Sequence, residues 1–92
     1  MPVAGAALLH ARAASAQGEL LAETDPQAIA VGYVADATRA DAAKFPQYVA
    51  GRTCATCALY QGAPADADGV CPLFGTRHVA GRGWCSAWTN MA

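Results

Sequence analysis

Residues 54–88 read CATCALYQGAPADADGVCPLFGTRHVAGRGWCSAW and hold all four cysteines of the chain: Cys54, Cys57, Cys71 and Cys85. The spacing is C-x2-C-x13-C-x13-C, and Tyr60, Phe74, Trp84 and Trp88 interleave with the thiols. Four thiolates converging inside an aromatic shell can bind a metal centre and keep water from it. The potential of a redox cluster follows from burial, hydrogen bonds to sulfur and net charge.

Spacing alone leaves three readings of these cysteines. Two disulfides suit an exported chain with an even cysteine count, and four cysteines allow three pairings. Cys54 and Cys57 are too close for a typical structural staple, although C-x2-C also serves as a redox disulfide. Structural zinc usually takes two C-x2-C knuckles, whereas here the second pair is spread over 13 intervening residues. A [4Fe–4S] cluster takes four cysteines at varied spacings. A thioredoxin-like exchanger is disfavoured, because no βαβ pattern surrounds Cys54 and Cys57.

The rest of the composition says why a staple is needed. A 92-residue chain has room for one small core. Hydrophobic residues reach 54%, but many are alanines that bury little area. Small cores of this kind usually rely on a metal or on disulfides. A net charge of −1 offers no basic field for nucleic acid or anionic lipid. No 18-residue apolar run is present to span a membrane.

Outward from the cysteines, the N-terminal stretch reads as a processing segment. Pro2 to Leu9 is small and apolar, and Ala14-Ser15-Ala16 fits the A-x-A cleavage rule, with Gln17 following. Residues 1–16 are expected to be the remnant of an export signal segment and residues 17–92 the working domain. An Ala-rich N-terminal helix is the alternative. His10 falls in this stretch and is not expected to be a ligand.

Asp25-Pro26 reads as an N-cap followed by proline at the first helical position, opening a short helix through Val31 that ends at Gly32. Asp36 to Asp41 suggests a turn or a second short helix through Lys44, closed by Phe45-Pro46. Gly62, Pro64, Asp66, Asp68 and Gly69 give the Cys57–Cys71 interval a loop composition. Val70 to Phe74 reads as a short strand. Arg77 to Ala80 pairs with it or with the Trp84 segment, turning at Gly81-Arg82-Gly83.

Taken together, Cys54-Ala55-Thr56-Cys57-Ala58-Leu59-Tyr60-Gln61, Cys71-Pro72-Leu73-Phe74 and Gly83-Trp84-Cys85-Ser86-Ala87-Trp88-Thr89 resemble the high-potential iron–sulfur proteins. Upstream, Ala28-Ile29-Ala30-Val31-Gly32-Tyr33 and Asp36-Ala37-Thr38 are similar to that family's N-terminal element. The resemblance covers about residues 25–90 and implies a small, loop-rich α+β fold. Few short helices and a small antiparallel sheet would wrap one [4Fe–4S] cluster held by Cys54, Cys57, Cys71 and Cys85. It implies a single-electron carrier rather than an enzyme, placed in the periplasm and exported folded. Its partners would be a cytochrome bc1 complex and a photosynthetic reaction centre (or its bound cytochrome) or a terminal oxidase. A monomer or weak dimer is expected.

The resemblance also assigns shell residues. Tyr33 is expected to pack on the cluster as a water barrier. Phe74, Trp84 and Trp88 are expected to shield it while filling the core. Leu59 stands where relatives often carry an aromatic, and Tyr60 beside it is a candidate to compensate. Gly83 is expected to let backbone approach the cluster, as only a residue without Cβ can; plain turn chemistry is the alternative. Backbone N–H donors to sulfur are expected at Leu59 for Cys57, Leu73 for Cys71 and Ala87 for Cys85. Pro72 has no N–H, which is compatible with Leu73 being the donor. His78 reads as an exposed strand residue. Docking is expected on an apolar patch near the cluster, with Arg77 and Arg82 as candidates for orientation.

Charge physics fits that role. Four thiolates contribute −4, so a 3+ core leaves −1 and a 2+ core leaves −2. Low dielectric penalises charge roughly as its square, so a dry pocket disfavours −3 and leaves the −2/−1 couple. A disulfide- or zinc-stapled secreted binding module is the competing class; it would be colourless, where a cluster protein is brown.

Overall fold

The computed structural model describes residues 19–91. The expected signal segment and its boundary before Gln17 lie outside the described residues. Helix α1 spans Pro26–Ala30. The Asp25 side chain accepts from the Gln27 N–H at 2.8 Å, and proline begins the helix where a missing N–H costs nothing. Gly32, at φ +67, turns the chain out of it. A single 3-10 turn follows at Ala37–Arg39, capped by Asp36, so of the two expected alternatives the turn is the one formed.

Two more 3-10 turns carry cysteine segments. Cys54–Thr56 opens on Thr53, whose N–H donates to Thr56 Oγ1 at 3.1 Å; the Thr56 hydroxyl donates back to the Thr53 carbonyl at 2.9 Å. Pro72–Phe74 follows Cys71 directly. Strand β1 is Asp68–Val70 and strand β2 is His78–Ala80; they pair antiparallel with Gly69 opposite Val79. The strand expected over Val70–Phe74 therefore begins two residues earlier, ends four residues earlier and shares only Val70 with that range. Pro72 cannot donate to a ladder, and its fixed φ starts the tight turn instead. The partner expected for that strand, from within Arg77–Ala80, is the one observed.

Outside this two-stranded sheet, isolated backbone bonds stitch the loops together. The His78 N–H donates to Glu19 O and the Leu21 N–H to His78 O, laying the N-terminal residues along β2. Val34 and Trp84 exchange both backbone bonds, at 2.9 and 3.0 Å. The Cys54 N–H donates to Gly83 O at 2.7 Å, and the Ala58 N–H to Thr89 O at 2.9 Å. Each cysteine segment is thus bonded to another one or to its flank. No helix among the described residues is long and apolar enough to cross a membrane.

Candidate metal centre

Cys54, Cys57, Cys71 and Cys85 are all buried and all free, so no disulfide joins them. They line one small pocket, together with Tyr33, Leu59, Tyr60, Phe74, Val79 and Trp88. No charged side chain borders it. Among the described residues, no three His, Cys, Asp or Glu side chains are grouped tightly enough for a single metal ion. A zinc site needs its sulfurs about 2.3 Å from one ion. Four sulfurs spread around one cavity instead suit a polynuclear centre.

The thiols say the same. Burial, then Cys85, Cys71 and Cys57, push the Cys54 thiol up to about 12. Burial raises Cys71 and Cys85 as well, countered in part by the Leu73 N–H at Cys71 and the Ala87 N–H at Cys85. A pocket this reluctant to hold bare thiolates will hold four of them only around a compensating positive core. The donor set therefore fits an iron–sulfur cluster.

The Leu73 and Ala87 N–H groups lie close enough to lower the Cys71 and Cys85 thiols, while the backbone bond to sulfur among the described residues is at Cys57. Its sulfur accepts from the Thr89 N–H, at 3.4 Å, rather than from Leu59. The reason is the Ala58–Thr89 backbone bond, which brings the C-terminal segment across the first cysteine pair. Thr89 carried no sequence signal as a donor, since it lies 32 residues from Cys57.

Tyr33, Phe74, Trp88 and Leu59 stand in the pocket wall. The Tyr33 hydroxyl is pinned, accepting the Ala80 N–H at 3.0 Å, and burial pushes its pKa up, which keeps it neutral. The Trp88 indole donates to the Thr53 carbonyl at 2.9 Å. Tyr60 also lines the cavity beside Leu59. The two adjacent residues face one side because the chain curls there, with the Tyr60 N–H bonded to Cys57 O. Room for the Tyr60 ring comes from Gly62 and Gly69, where a Cβ would lie 2.8 Å from it. Val79 completes the wall and was missed, because a lone valine in a short strand carries no marker.

Trp84 does not line the cavity. It is buried in a second aromatic group, edge-on to Tyr48 at 5.2 Å and to Phe45 at 6.1 Å. Adjacent residues of an extended segment point to opposite sides, so Cys85 facing the cavity turns Trp84 away. Gly83 is also corrected. A Cβ there would lie 2.5 Å from Val34 O, so its bareness serves the Val34–Trp84 pairing, with Tyr33 the nearest wall residue. Arg77 is engaged by Asp25 and Gln27, which removes it as a docking residue; Arg82 is exposed. His78 is partly buried, not exposed, and pairs with Asp68 at 2.6 Å.

Comparison with known proteins agrees with this geometry. The family described as high potential iron-sulfur protein matches residues 20–92. A high-potential iron-sulfur protein of Ralstonia nicotianae is 53% identical over 79 residues, 86% of this chain and 76% of that one. One from Rhodoferax fermentans is 52% identical over 79% of this chain and 96% of its own. The crystal structure of the Rhodoferax fermentans protein superposes with a TM-score of 0.74 at 51% identity, covering 77% of this chain and 95% of that one.

Proposed function

Because the chain belongs to the high-potential iron–sulfur protein family, we propose that it is a periplasmic single-electron carrier between a cytochrome bc1 complex and a reaction centre or terminal oxidase. Family membership brings a [4Fe–4S] cluster and the work of an electron carrier. Cys54, Cys57, Cys71 and Cys85 hold that cluster. When bound, it supplies a one-electron site that exchanges a 3+ core for a 2+ core.

The observation that carries this reading is the four free, buried thiols around one cavity without a charged wall. Tyr33, Tyr60, Phe74 and Val79 are buried and keep water out. Desolvation penalises each added negative charge more steeply than the last, so this wall favours total charges of −1 and −2 over −3. The N–H groups of Leu73, Ala87 and Thr89 lean the other way, stabilising the more negative state and raising the potential within that couple.

The location and the partners rest on the family's usual role and on Ala14-Ser15-Ala16 at the expected signal boundary. The test is a coupled assay with cell fractions of the source organism. The brown protein is expected in the osmotic-shock fraction. There it should be reduced by quinol only when bc1 complex is present, and reoxidised by membranes in light or oxygen. Recovery in the cytoplasm, or reduction that a bc1 inhibitor leaves unchanged, would reject the placement while leaving the cluster intact.

A further inference from the structure

Ten side chains line the cluster cavity, and Leu59 and Trp88 are the two that are only partly buried; the other eight are buried. The wall is therefore most open to solvent on the Leu59–Trp88 side. Trp88 is held rigidly there, its indole N–H shared between Thr53 O at 2.9 Å and Thr56 Oγ1 at 3.3 Å. Its neighbour Thr89 donates its N–H to Cys57 Sγ. A cluster ligand is thus bonded directly into this face.

A cation covers the same face. The Arg52 guanidinium stacks 4.7 Å over the Trp88 ring and is fixed by a bond to Gln47 O at 2.9 Å. Arg39 and Arg77 each have a carboxylate partner; Arg52 has none among the described residues. Residues 42–65 include Lys44 and Arg52 and no Asp or Glu, and residues 69–92 have no Asp or Glu either. The acidic residues fall at 19–41 and at Asp66 and Asp68. A chain with a net charge of −1 thus places an unpaired positive charge on the most exposed part of its cluster wall.

We propose that Arg52, Trp88 and Leu59 form the electron port, and that the port docks an acidic redox partner whose carboxylates ring its own redox centre. The proposal rests on the electron-carrier reading above and gives it a direction. Electron-transfer encounters use small interfaces, where rim charges set orientation and association rate more than affinity. Arg52 is a positioning residue: it orients the partner over Trp88, and the electron crosses the wall beneath it.

The test uses the reduced, cluster-loaded protein and two small oxidants of opposite charge. Hexacyanoferrate(III) takes one electron and becomes hexacyanoferrate(II), with no bond formed and no proton moved. Arg52→Glu is expected to slow this reaction about tenfold at low salt, at the lower end of electrostatic steering. It should speed oxidation by the cationic tris(phenanthroline)cobalt(III). Arg82→Glu makes the same charge change elsewhere and is expected to have a small fraction of either effect. The reduction potential of each variant separates driving force from encounter.

Redox-inert, paramagnetic hexacyanochromate(III) gives a second readout that needs no electron transfer. It is expected to broaden the amide resonances of Ala50 and Gly51 and the Trp88 indole in wild type, and to lose that effect in Arg52→Gln. Equal rates in wild type, Arg52→Glu and Arg82→Glu would overturn the port. So would broadening centred instead on Val31 and Leu73, which lie beside Phe74. A failure of hexacyanoferrate(III) to oxidise any of the proteins would overturn the carrier reading and the port with it.

Discussion

Tyr33 and Tyr60 stand in the same wall and differ in one hydrogen bond. The Tyr33 hydroxyl accepts the Ala80 N–H, whereas the buried Tyr60 hydroxyl has no partner. Tyr33→Phe leaves an N–H of the β2 strand unpaired and is expected to cost about 1–3 kcal/mol. Tyr60→Phe removes an unsatisfied polar atom and is expected to be neutral or stabilising; denaturant midpoints of the loaded proteins compare the two. Phe74→Ala opens the wall from a fully packed position, with an expected loss of about 3–5 kcal/mol. It should also hasten bleaching of the oxidised protein, read as decay of its visible absorbance. At this scale the four cysteines were marked by type and spacing, whereas the places of Tyr33, Phe74 and Trp88 came from the family resemblance. Trp84 was misplaced because adjacency to Cys85 does not say which side of the chain a ring occupies. Val79 and Thr89 carried no mark, since tertiary bonds alone bring them to the site.

Short elements here are set by local chemistry and locked by distant partners. Asp25-Pro26 announced helix α1 correctly, but not that Asp25 also binds Arg77, 52 residues away. That hydrogen bond is the first cause of a lowered Asp25 pKa, and Arg39 does the same for Glu23. Folded values below the ordinary ones mean that both pairs stabilise the fold above the usual carboxylate range. That stability is lost as pH falls through the lowered values, below about pH 4. Asp25→Asn is therefore expected to be less stable than wild type at pH 6, with the gap closing on acidification in pH-dependent denaturant melts. The Gly83 turn is equally local in sequence and distant in effect. Gly83→Ala drives a methyl group against Val34 O and is expected to cost about 1–3 kcal/mol, with loss of amide protection at Val34 and Trp84. The displaced β1 strand shows the limit of composition: Val70 to Phe74 looks extended until the missing N–H of Pro72 is counted against the ladder.

The whole molecule is organised around a cavity rather than around a core of large side chains. Its fold class was legible from the four cysteines and their flanks; the pairing of loops across them was not, because most of those bonds are isolated and join segments far apart in sequence. All four cysteines belong to the buried cluster that Tyr33, Tyr60, Phe74 and Val79 complete. Removing the metal should therefore take most of the fold with it. Iron chelation under denaturing conditions, followed by return to buffer, is expected to give a chain without dispersed amide resonances. The central claim is that this dry, four-thiolate pocket holds a cluster in the −2/−1 couple. Iron and acid-labile sulfide counts with an EPR-monitored redox titration test it most directly. The account predicts about four irons per chain, as the cluster type requires, and a signal that appears on oxidation and is absent from the reduced protein. A signal that appears only on reduction would contradict the shielding argument, and a chain without iron would contradict the cluster itself.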